Sequence, residues 1–197
     1  PFFIENKNIF DYNFANNEDN LFYSRRIGRS PQGIIATQKE DFVKRPQSST
    51  ILGAAKFSGK TKNGWSLGIL ESVTANEFAK IDNGTERKEV LAEPLTNYFV
   101  GRAQKDFNNR NSFLGAIVTA TNRNTDEPQF TFLHESAYSG GFDFKHNWKD
   151  RKYFVAGNIV ASHITGSKES ITNTQKEITH LFQRADANYV SVDSDRT

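Results

Sequence analysis

Period-two alternation, arriving in long paired runs, constrains this chain more than any other feature. In ILGAAKFSG (51–59), Ile51, Gly53, Ala55 and Phe57 fall on one face and Leu52, Ala54, Lys56 and Ser58 on the other. Beyond Asn63-Gly64, GWSLGILESVT (64–74) puts Trp65, Leu67 and Ile69 on one face. Asn-Gly is a tight-turn signal because both residues tolerate positive φ. A second pair, NYFVGRAQKDF (97–107) and SFLGAIVTATN (112–122), flanks Asn-Asn-Arg-Asn. There Leu114, Ala116, Val118 and Ala120 form an apolar row, while Tyr98, Val100, Arg102, Gln104 and Asp106 form a mostly polar one. The third pair is AYSGGFDFKHNW (137–148) and KYFVAGNIVASH (152–163). Tyr138, Phe142, Phe144 and Trp148 share a face there, alternating with Asp143 and Lys145; Tyr153, Val155, Ile159 and Ala161 follow across the turn.

These predicted strands run 10–12 residues, against the usual five or six of globular sheets. Short polar turns join them on one side, and longer polar connections (75–95, 123–129 and 164–180) on the other. That asymmetry, with Tyr and Trp at row ends, fits a transmembrane-type up-and-down β-barrel, whose strands need about 9–11 residues to cross a bilayer. The expectation is an all-β chain of long antiparallel hairpins forming part of such a barrel. Alternation by itself equally fits a soluble antiparallel sandwich or barrel with one buried face. Six strands cannot close a membrane barrel, and an open edge cannot face lipid. Further strands are therefore expected from residues 1–50, from the tail, or from chain outside this sequence.

Residues 1–197 read as one β domain, a fragment of a larger barrel. Residues 1–50 form an irregular opening segment with a basic motif; hairpins occupy 51–74, 97–122 and 137–163; and 164–197 is a loop leading to further strands. Helical periodicity is poor, and the one predicted helix is short, around Lys176 to Gln183.

Composition narrows the function classes. With 25 basic and 23 acidic side chains the formal net charge is +2, so no global field favours nucleic acid. Cysteine is absent, which removes disulfides, thiolate metal sites and cysteine nucleophiles. Mean hydropathy is -0.65 although 17 residues are Phe, and no apolar run approaches the roughly 20 residues of a spanning helix. The chain begins at Pro1 and contains no methionine, which reads as a fragment or a mature chain.

No catalytic signature emerges. His134, His146, His163 and His180 are scattered; Tyr138 stands where a two-histidine zinc motif starting at His134 needs its second histidine. The acidic runs 16–19 and 192–195 lack the glycine and terminal glutamate of a calcium loop. Asp143, Glu71 and Asp106 lie on predicted strands, where two of them could meet as the carboxylate pair of a hydrolase. No phosphate loop, dinucleotide fingerprint or nucleophile elbow occurs. No cofactor or metal site is expected.

Four ordered stretches carry a family resemblance: PFF-I-E at 1–5, LFYSRRIGR at 21–29, EPLTNYFVGR at 93–102 and LFQRADANYVSVDSDRT at 181–197. Together they resemble a Bacteroidota family of unknown function. In its members a large C-terminal domain, expected to be an outer-membrane β-barrel, follows a domain like carbohydrate-binding family 9. The resemblance implies that this chain is the first part of the barrel, with the binding domain before Pro1 and more strands after Thr197. Ile4, Glu5 and Asn6 depart from the Glu-Gly that tends to follow the opening motif, and Ala185 stands where proline is common. It supplies no catalytic residues.

The leading functional expectation is an outer-membrane barrel, non-enzymatic in this segment, that binds or takes up glycan-derived or other surface ligands. A carbohydrate-active hydrolase with lumenal carboxylates and a soluble β-sheet binding module are the alternatives. Leu114, Val118, Phe142, Phe144, Val155 and Ile159 are expected to face lipid. Arg25, Arg26, Arg29, Lys56, Arg102, Asp106, Asp143 and Lys145 are expected to form a lumenal charge cluster, with ligand contact or internal ion pairing as its role. The expected partners are a lipid bilayer, a glycan or small-molecule ligand and partner subunits, with no nucleic acid.

Overall fold

Each alternating pair becomes an antiparallel hairpin, and the three hairpins join edge to edge in one sheet. The computed structural model describes residues 7–12, 14, 20–186 and 188–197. The opening motif with Ile4, Glu5 and Asn6, and the acidic run 16–19, lie outside the described residues. Strand β1 spans Phe42–Lys44, β2 Ile51–Lys60, β3 Trp65–Thr74, β4 Glu77–Asp82 and β5 Arg87–Glu93. Strand β6 spans Thr96–Phe107, β7 Ser112–Arg123, β8 His134–Trp148 and β9 Tyr153–Gly166, before helix α1 at Lys168–Lys176. The large sheet has the order β2-β3-β6-β7-β8-β9, antiparallel throughout. Among the described residues β2 and β9 are its edges, so the six strands form an open sheet and not a closed ring.

The turns set the register. Gly64 has φ 84°, as the Asn-Gly signal requires. The other two turns run through three consecutive residues with positive φ, Asn108, Asn109 and Arg110 in one and Lys149, Asp150 and Arg151 in the other. From these turns the β6–β7 and β8–β9 ladders run with unbroken pairing almost to the far ends.

Two segments differ from the sequence expectation. The connection 75–95 is not a plain polar loop: β4 and β5 pair as a hairpin, and β1 adds to β4 to make a second, three-stranded sheet. Its turn, Asn83-Gly84, has Gly84 at φ 84°, and Ala79, Ile81 and Ala92 are buried. The helix lies upstream of the predicted one, at Lys168–Lys176 rather than 176–183. Ser167 caps it, its hydroxyl accepting from the Ser170 N–H at 3.1 Å. Glu169 in the first turn suits the helix dipole, and Ile171 and Gln175, one turn apart, are buried together. Past the helix end, Ile178 is 86 % exposed and has no core to join.

The main core sits on one face of the large sheet. Phe10, Tyr12 and Ile27 from the opening segment cover Leu70, Tyr98, Val100 and Ile117, with Leu21 and Phe22 packed beside them. Each such side chain contributes roughly 1.5–3 kcal/mol by leaving water. Gly141 makes room for this cover: a Cβ there would lie 2.7 Å from the Tyr12 hydroxyl oxygen.

Candidate functional site

Register assigns every strand residue to one of two faces. Leu67, Ala103, Ala116, Phe142 and Ile159 align across β3 to β9, and so do Ile69, Gly101, Val118, Gly140 and Ala161. Neither row contains a charge, and neither lies on the face covered by the opening segment. The six residues predicted to face lipid all belong to this outer face and stand open: Leu114 is 54 % exposed, Val118 51 %, Phe142 66 %, Phe144 44 %, Val155 47 % and Ile159 76 %.

Aromatic side chains border this apolar band at the short-turn end. Trp65, Phe107, Trp148 and Tyr153 flank the three turns and are all exposed; Trp148 and Tyr153 stack with centroids 6.1 Å apart. Lys105 places its ammonium 5.4 Å from the Trp65 ring centre and donates to the Asn63 carbonyl at the turn. At the opposite end polarity returns: Glu71 accepts from Asn97, and the Tyr138 hydroxyl donates to Asn122 Oδ1 at 2.6 Å. The outer face is therefore an uncharged band between two polar margins.

The inner face reverses this pattern. Arg102, with 2 % of its side chain exposed, makes a two-pronged contact with Asp143 at 2.6 and 2.7 Å. The pair bridges β6 and β8 across β7 and meets above Gly115. A Cβ at Gly115 would come within 2.5 Å of Asp143 Oδ1 and 2.6 Å of an Arg102 nitrogen, so only glycine leaves the gap. Arg102 reaches on to Gln104 at 3.4 Å, Gln104 donates to Asp106 at 2.9 Å, and Lys60 donates to Asp106 at 2.7 Å. The Tyr12 ring lies 5.4 Å from the Arg102 guanidinium, and its hydroxyl is shared between the Phe142 and Ile159 carbonyls at 2.8 and 3.1 Å. Burial and the neighbouring Asp143 carboxylate raise the Tyr12 phenol above its ordinary value, outweighing Arg102, so the hydroxyl stays a donor.

The eight charges expected to form one cluster divide between two places. Arg102, Asp106 and Asp143 belong to the network just described, joined by Lys60 and Gln104, which the sequence did not single out. Lys56 lies 5.6 Å from the Phe10 ring centre and Lys145 lies 5.0 Å from that of Phe154, both on the same inner face. The arginines of the basic motif sit towards the long-connection end. Arg25 lies 6.0 Å from the Tyr23 ring centre. Arg29 approaches the buried Glu93 at 3.9 Å, and Glu93 also accepts from the Gln32 N–H at 2.7 Å. Arg26 and Arg29 line a cavity of about 230 Å³ together with Arg123, His134, Tyr98 and Thr121.

Arg123 lies at a strand end with no local pattern around it, and Glu93, though it opens the stretch EPLTNYFVGR, has nothing beside it in sequence that marks Arg29 as its partner. The three carboxylates considered for hydrolysis do not converge. Glu71 lies on the outer face, while Asp143 and Asp106 are each held by a cation. Among the described residues no group of three or more His, Asp or Glu side chains could hold a metal ion.

The chain belongs to the family described as a domain of unknown function, DUF5916, which it matches over residues 1–192. No curated protein and no solved structure matches it.

Proposed function

We propose that this member of an unknown-function family forms part of a β-barrel in a bacterial outer membrane, with the apolar face towards lipid and the charged face towards the lumen. In this reading the segment is not itself an enzyme and handles glycan-derived or other surface ligands. The observation that carries the membrane part is the inverted sheet: large apolar side chains are open on one face, while Arg102, Asp143 and Asp106 are covered on the other. A soluble sandwich would put the apolar face against its core.

Dimensions support the same reading. From Tyr138 to Trp148, β8 advances ten residues. At roughly 3.3 Å per residue and a tilt of about 35–45°, that spans about 25 Å, the height of the apolar band of an outer-membrane barrel. Aromatic girdles at the band's margins are a further mark of such barrels. Lipid tolerates no open sheet edge, so the reading requires β2 and β9 to be paired in the membrane, by more of the same polypeptide or by another subunit. The glycan part rests on the carbohydrate-binding domain that accompanies the barrel in the family this chain resembles.

Cell fractionation of the full-length protein tests the proposal. Recovery with outer membranes and release only by detergent is expected. Full recovery in the supernatant after membranes are pelleted would overturn it.

A further inference from the structure

We infer that the cavity at the long-connection end of the inner face binds a small ligand through a carboxylate or phosphate group. The proposal deepens the ligand-handling reading but stands on the cavity alone and needs no bilayer. Three arginines line this cavity, Arg26, Arg29 and Arg123, and among the described residues no aspartate or glutamate lines it. A nearby carboxylate, Glu93, lies 3.9 Å from Arg29 and is already engaged by the Gln32 N–H. Arg123 lies within electrostatic reach of both Arg29 and Glu93, so these two guanidinium groups share that carboxylate.

Hydrogen bonding points the same way. The Nε atoms of Arg29 and Arg123 are both buried and have no acceptor among the described residues. Arg123 donates to the His134 carbonyl at 3.1 Å, an acceptor without charge. Guanidinium groups that are gathered, partly desolvated and short of acceptors match an oxyanion, whose lone pairs accept two N–H bonds side by side. Hydroxyls of Tyr98, Thr119, Thr121 and Ser139 also line the cavity and suit a polyhydroxylated body behind the anionic group. The cavity, at about 230 Å³, has room for one sugar-sized ring.

Calorimetry on the full-length protein in detergent, with D-glucuronate, glucose 6-phosphate, inorganic phosphate and D-glucose as probes, tests the inference. At least one anionic sugar should bind, at least about tenfold more tightly than glucose. Arg26→Gln, a change at an exposed guanidinium, should weaken that binding about tenfold, whereas Arg25→Gln, outside the cavity lining, should leave it within about twofold. Tight binding of inorganic phosphate alone would assign the site to the free ion, and loss of sugar binding with phosphate retained in Arg26→Gln would overturn the shared-group assignment. Equal affinity for glucose and glucuronate, equal loss in both variants, or no binding of any anionic probe would each overturn the proposal. Membrane fractionation is unaffected by any of these outcomes, so failure of the pocket and failure of the barrel reading are separable.

Discussion

The two faces of the large sheet follow opposite rules. On the outer face Phe142 and Ile159 are 66 % and 76 % exposed, while on the inner face Arg102 is almost wholly covered and neutralised by Asp143. The same strands, alternating residue by residue, supply both. Alternation therefore tells which residues share a side, but the direction of burial comes from what lies against that side. Here the opening segment covers the inner face, where Phe10 and Tyr12 pack on Leu70, Val100 and Ile117 and lie beside Lys56 and Arg102.

Several substitutions would break or sharpen this contrast. The largest loss is expected for Asp143→Ala, which leaves Arg102 buried without its acid; urea unfolding should show about 3–5 kcal/mol of destabilisation. Next are two neighbours on β9 that point to opposite faces. In lipid vesicles Ile159→Lys should cost about 2–4 kcal/mol at mid-membrane depth. Asn158→Lys, beside Asp143 in the register, should stay within about 0.5 kcal/mol of the parent. Equal costs for the two would show that neither face meets hydrocarbon. Gly115→Ala inserts a methyl between Arg102 and Asp143 and should cost about 1–3 kcal/mol by overpacking, without altering membrane partitioning. Apart from the Asn158→Lys control, the smallest loss is expected for Gly84→Ala in the β4–β5 turn, away from both faces. There the space is open but φ is 84°, so a loss of about 1–2 kcal/mol is expected from backbone strain alone.

The three long hairpins were legible in the sequence because alternation and turn residues agreed at each of them. Asn83-Gly84 carries the same signal as Asn63-Gly64, but its flanking strands are short and rich in Lys and Glu, so the small hairpin passed for a polar loop. The helix falls at 168–176 and not at 176–183, because Ser167 caps it and Glu169 suits its first turn, whereas Ile178 and Phe182 are poor helix formers. Arg102 and Asp143 could be placed on one face from sequence, but their meeting required the register across β7 and the gap at Gly115. Of the arginine cavity the sequence shows only Arg26 and Arg29, in the basic motif, and nothing that joins them to Arg123. Its parts come from residues near 26, 98, 123 and 134, and only the folded sheet brings them together. Gly141, between Ser139 and Asp143 in a polar row, is the one sequence mark that could have pointed to a large side chain packing above it.

Strands β3 and β6 are direct neighbours, with Thr74 opposite Thr96, although the whole β4–β5 hairpin lies between them in the chain. The two ends of that excursion are thus about one strand spacing apart, roughly 5 Å, so a two-residue turn could replace residues 75–95 without parting the strands. The hairpin thus leaves and rejoins the large sheet at one point, but β1 pairs with β4 and the Gly33 N–H donates to the Ala92 carbonyl, so its removal would also leave β1 without its partner. Detaching it would also remove Glu93, the acid beside Arg29, so the large sheet would survive while the charge at one end of its inner face became more positive.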